Sequence, residues 1–165
     1  MKRTLGTLLA TSALLLAAAC GEDTGGDDTR AEDTSASASS TPQGGDDGVA
    51  FTEVAILHDT AAGGEVSTEP VPLDDQEAVD AFVAGLDSDK LAGEVQDAVD
   101  GADPAGGQVL VGSVVSIGCD VPPGVAVQRT DSGVEITPLK VPSPQKECFA
   151  PVTTVALVTV DAGAL

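Results

Sequence analysis

A compositional break at Val49 limits which part of this chain can fold. Residues 21–48 read GEDTGGDDTRAEDTSASASSTPQGGDDG, with no Val, Ile, Leu, Phe or Met and eight carboxylates against Arg30 alone. Such a stretch cannot bury enough apolar surface to offset the entropy lost on ordering, so it is expected to stay disordered. As a Gly/Ser-rich coil its mean reach is roughly 30 Å. A core must come from residues 49–165, a length suited to a single domain.

Charge and aromatic content exclude several classes of ligand. The 165 residues carry 27 Asp+Glu against 7 Lys+Arg, a formal charge of -20. Phosphate recognition needs a Lys/Arg footprint, so neither nucleic acid nor an anionic membrane surface is an expected direct ligand. The aromatics are Phe51, Phe82 and Phe149, with no Trp or Tyr. Stacking platforms for bases, and for most sugars, are therefore missing.

The N-terminus reads as an address. Lys2 and Arg3 precede an apolar run from Leu5 to Ala19, which ends Leu15-Leu16-Ala17-Ala18-Ala19-Cys20. A basic start, a short apolar segment and small residues at its end describe a secretory signal over residues 1–19. The run falls short of the roughly 20 apolar residues a spanning helix needs. Cys20 after three alanines resembles a bacterial lipobox, with Ala17 where most members carry Leu. That resemblance implies cleavage before Cys20, diacylglycerol on its sulfur and a palmitate-type chain on the new N-terminus. Covalent lipid of this kind anchors a protein to the outer face of a cell membrane without spanning it. The acidic spacer at 20–48, and the Ala/Val/Asp-heavy composition without Asn, resemble lipoproteins of high-GC Gram-positive bacteria.

Within 49–165 the periodicity changes twice. Val49 to Leu57 is short, β-branched and apolar, which predicts a strand. Asp59 to Pro72 reads as a loop, with a brief extended piece at Val71 to Leu73. Asp74 is placed to cap a helix, with Glu77 three residues on as a box partner. Ala78, Val79, Phe82, Val83 and Leu86 then share one face. A second helix is expected from Ser88, burying Leu91, Val95, Ala98 and Val99, weakened by Gly93 and ended by Gly101 and Pro104. Strands are predicted at Val109–Ile117 and Val152–Val160, both apolar on both faces. A hairpin of Val125–Thr130 and Val134–Leu139 turns at Asp131-Ser132-Gly133. The order β-α-α-β-β-β-β predicts an α+β domain: one antiparallel sheet of about five strands with two short helices on one face.

Cys119 and Cys148 remain after lipidation, and an even pair in an exported domain is expected to form a disulfide. It closes a loop of about 30 residues, worth about 3.6 kcal/mol on the chain-entropy estimate. A redox role lacks the C-x-x-C spacing and a nearby activating histidine.

Catalytic patterns are sparse. His58 is the single histidine, no G-x-S-x-G elbow accompanies it, and it is expected to end the first strand facing solvent. Zinc would need several His or Cys ligands, and no phosphate-cradling glycine motif is present. Between Asp74 and Asp103 stand ten Asp/Glu against Lys90. Asp87-Ser88-Asp89 opens like a calcium loop, but Leu91 occupies the expected third carboxylate position and the sharp-turn Gly is missing. The remaining reading is a solvated helix face, with Asp87 and Asp89 favouring the second helix through its dipole.

Phe51-Thr-Glu-Val, Val71-Pro-Leu-Asp-Asp before the Phe82 helix, and Cys148 ahead of Pro151-Val-Thr-Thr-Val-Ala-Leu-Val-Thr-Val form a recognisable layout. With the Val-rich strand, turn and hairpin between them, it resembles the small C-terminal domain of protease-complex stabilising subunits of the PrcB type. That family favours Thr-Gly-Gly-Tyr at its turn, where this chain has Ile117-Gly118-Cys119-Asp120-Val121-Pro122-Pro123-Gly124. The resemblance implies a non-catalytic domain that binds or stabilises another exported protein. The expected contact surface is the pair of loops Gly118–Gly124 and Val141–Glu147, with Asp120, Val121, Pro122, Pro123, Pro142 and Pro144, because Pro-rich loops tied by a disulfide are rigid. The competing expectation is an acidic envelope lipoprotein that binds a solute or calcium through the helix pair from Asp74 to Asp103. No cofactor beyond the lipid on Cys20 is expected.

Overall fold

Valine-rich strands apolar on both faces must be covered twice, and the observed architecture does this with two different layers. The computed structural model of the protein describes residues 48–165, so the leader, Cys20 and the spacer to residue 47 lie outside the described residues. Strands are β1 (Phe51–Thr60), β2 (Val71–Pro72), β3 (Gln108–Gly118), β4 (Val125–Thr130), β5 (Gly133–Pro138) and β6 (Val152–Asp161). Helices are α1 (Gln76–Val83) and α2 (Asp89–Asp100), and a 3-10 turn at Ala162–Ala164 ends the chain. One antiparallel sheet has the order β1-β6-β3-β2; β4 and β5 form a second, two-stranded sheet.

The class is α+β as the sequence predicts, with helices on one face, but the single sheet of about five strands is not what forms. The hairpin leaves the sheet and packs on its opposite face. Its inward side chains Val125, Val127, Val134 and Ile136 join Val111, Val115, Ala156, Val158 and Val160 in one core. Leu91 and Val95 of α2, Val79 of α1 and Leu73 meet Leu110, Val114, Val155 and Leu157 in the other. Alternation along β6 thus feeds two cores in turn, which is why Val155 to Val158 are all fully buried.

Local sequence explains most boundaries. The cap of α1 is Asp75, not Asp74: its carboxylate accepts from the Ala78 backbone N–H at 2.8 Å, without help from Glu77. α2 starts where expected, with Ser88 as its cap, and Gly101 ends it. Thr130 pairs with Gly133, leaving Asp131-Ser132 as a two-residue hairpin loop. β1 runs on through His58 and Asp59, because Thr60 still pairs with Val152. The preceding residues belong to the other layer, where the Val49 N–H donates to the Val127 carbonyl at 3.0 Å.

Close packing is most exacting at Gly112 of β3. A Cβ there would sit 2.8 Å from Leu73 Cδ1 and 3.1 Å from Leu157 Cδ2. Gly112→Ala should destabilise the domain by about 2 kcal/mol through overpacking, read as a lower denaturant midpoint at unchanged slope. An unchanged midpoint would mean that the side chains of Leu73 and Leu157 can yield.

Candidate functional site

The described residues place one end of each predicted contact loop at one pole of the main sheet, while Gly124 at the other end of the first lies against Glu53. Thr60, Val152 and Gly118 form the last row of that sheet. Cys119 follows Gly118, and Cys148 precedes the strand that begins at Val152, so both cysteines sit just beyond this row. Their Cα atoms are 5.4 Å apart and their sulfurs lie at bonding distance. The span they close, residues 119–148, contains the whole β4–β5 hairpin with its two connections. The disulfide is therefore the neck of the hairpin layer.

A second link ties the same loops. The Asp120 carboxylate accepts from the Gln145 backbone N–H at 2.8 Å. Of the six residues expected to contact a partner, Pro123, Pro142 and Pro144 are exposed, whereas Asp120 and Val121 are half-buried. Pro122 is buried and unavailable for contact. The hairpin strand β4 begins three residues later, at Val125, and packs back onto the sheet.

The most conspicuous residue at this pole is one the loop reading passed over. Phe149 is fully exposed, beside Cys148 and outside the strand that starts at Val152. Ile117, near the end of β3, is also exposed. Phe149, Cys119, Cys148, Gln145, Lys146 and Val152 border a shallow depression. A signal was present in the sequence. Phe149 stands between a cysteine and Pro151, outside any periodic pattern able to bury it, in a domain with three aromatics.

The acidic helix start lies at this pole too. The Asp87 N–H donates to the Ala62 carbonyl at 2.7 Å, and its carboxylate lies over Gly63, whose φ of +64° suits the missing side chain. Thr153 Oγ1, one position into β6 from Val152, donates to the Gly63 carbonyl at 2.7 Å. Ser88 Oγ accepts from the Leu91 N–H at 3.2 Å and donates to Asp59 at 2.6 Å. Lys90 bridges Glu94 at 3.0 Å and Asp59 at 3.7 Å. The Ser88 hydroxyl first, then the Thr60 backbone N–H and Lys90, hold the Asp59 carboxyl below its ordinary value. Asp59, absent from the sequence-level site, is thus the residue that fastens β1 to α2. Asp87 and Asp89 remain exposed, and among the described residues no three His, Cys, Asp or Glu side chains stand together as metal ligands.

His58 is exposed on β1 as predicted, in register with Thr154, which in turn is in register with Ser116. The hydroxyls of Thr154 and Ser116 have no hydrogen-bond partner among the described residues. Both oxygens are sealed from solvent, so the row gives a substrate no access to them.

Comparison with protein-family models, with curated proteins and with solved structures finds no match to this chain. Its functional reading therefore rests on its own residues.

Proposed function

We propose that this chain is an extracytoplasmic lipoprotein, held at the cell membrane through lipid on Cys20, whose domain binds or stabilises another exported protein without catalysis of its own. The observation that carries the reading is the pole at Cys119–Cys148. There, loops pre-ordered by a covalent bond and by Asp120 present Phe149 to solvent, and Ile117 is exposed near the end of β3. An ordered surface loses little conformational freedom on binding, and an exposed aromatic is the residue type that most often dominates an interface. The layout resemblance to protease-complex stabilising subunits points toward the same role.

In-cell cross-linking of the tagged full chain tests this, with a control lacking residues 49–165. The expected result is one exported protein enriched only when the domain is present, and release of the chain from the membrane fraction on Cys20→Ser. Identical captures from both chains would overturn the binding role. Membrane retention of the Cys20→Ser chain would overturn the anchor.

A further inference from the structure

The first described residues and the exposed aromatic lie at opposite ends of the domain. Chain entry is at Gly48–Phe51, where Phe51 pairs with Val160, and the Cys119–Cys148 pole lies beyond Thr60. Nine strand steps along β1 separate these ends by about 30 Å. Phe149 therefore projects from the end remote from the point where the chain leads back toward Cys20.

Charge is distributed unevenly over that end. Lys146 and Glu147, which border the depression beside Phe149, offset one another. Over the rest of residues 48–165, the other carboxylates stand against only Lys90, Arg129 and Lys140. Asp87 and Asp89, exposed at the start of α2, bring that acidity to the edge of the Phe149 pole, because Asp87 packs on Gly63 and Gly63 is bonded to Thr153 of β6. The net negative charge steers the approach of a basic partner, and salt weakens that steering.

Resting on the binding role proposed above, we infer that Phe149 is the anchor of the interface and that its partner is an exported protein offering an apolar pocket flanked by Lys or Arg. The ring fills the pocket, Ile117 extends the apolar contact, and Asp87 and Asp89 face the basic flank. An anionic lipid surface is the poorer fit, because the domain carries a large negative charge toward it.

A photo-reactive residue placed at 149 of the full chain, and separately at 144, tests the inference inside cells. Cross-links from 149 should map to an apolar pocket with adjacent Lys or Arg on one exported protein. With that protein purified, Phe149→Ala should weaken binding about thirtyfold. Asp87→Asn with Asp89→Asn should lower the association rate and reduce its salt dependence. Cross-links from 144 without any from 149, or unchanged affinity of Phe149→Ala in a chain that melts normally, would overturn the anchor and leave the binding role standing. No cross-link from either position would overturn both. Sedimentation with phosphatidylglycerol vesicles that depends on Phe149 would replace the protein partner with a lipid surface and overturn the inference.

Discussion

Leu157→Ala should be the most damaging single core truncation considered, lowering stability by about 3 kcal/mol. Leu157 is fully buried in the middle of β6, in register with Gly112 on one side and Ala55 on the other. Both of those neighbours are small, so the leucine itself fills the space beneath α1 and Leu73. Truncation leaves a cavity that the sheet cannot close, because β6 is hydrogen-bonded along both edges and its backbone cannot move inward alone. For a domain of this size the loss corresponds to a fall in melting temperature of roughly 10–15 °C, measured by thermal unfolding of the purified chain. A fall below about 3 °C would mean that α1 collapses into the space, and that the helix layer is looser than its burial indicates.

Removing the disulfide should cost a similar amount by another route. The Cys119→Ser, Cys148→Ser double variant should lose about 3.6 kcal/mol, the chain-entropy value for the loop that it opens. Because residues 119–148 enclose the hairpin, the loss should appear unevenly. Amides of β4 and β5 should exchange faster than those of β1, β3 and β6, since the hairpin would keep its apolar contacts but lose its closed neck. Reductant should lower the melting temperature of the parent chain by the same amount and leave the double variant unaffected. Equal stability with and without the bond would show that the packing of Val125, Val127, Val134 and Ile136 suffices to hold the layer.

Much of this was legible from local chemistry. Apolar spacing located both helices, Ser88 and Gly101 marked the ends of the second, and Asp131-Ser132-Gly133 marked the hairpin. Each depends on residues a few positions apart, so the sequence carries the signal directly. The cap of α1 moved from Asp74 to Asp75 because adjacent aspartates are equivalent in pattern and only the backbone path separates them. The extension of β1 through Asp59 was hidden because polar residues at a strand end resemble a loop until a partner strand claims them.

Long-range placement was the part that could not be read. Phe149, Asp59 and the Asp87–Gly63 contact gain meaning only once β6 draws distant segments together. The buried Pro122 shows the converse: a proline in a polar turn reads as exposed, although the fold buries it.

By itself, the sequence determined that the class is α+β, which helices form, and that Cys119 and Cys148 are the pair available for a bridge. These follow from composition and from short-range periodicity, which act before any tertiary contact exists. Only the tertiary structure decided that the hairpin quits the sheet to cover its second face. The strands at 109–117 and 152–160 require burial on both sides, but their pattern does not say which element supplies each cover. That choice rests on which apolar surfaces fit one another in three dimensions, and it is this choice that gives the domain its two cores.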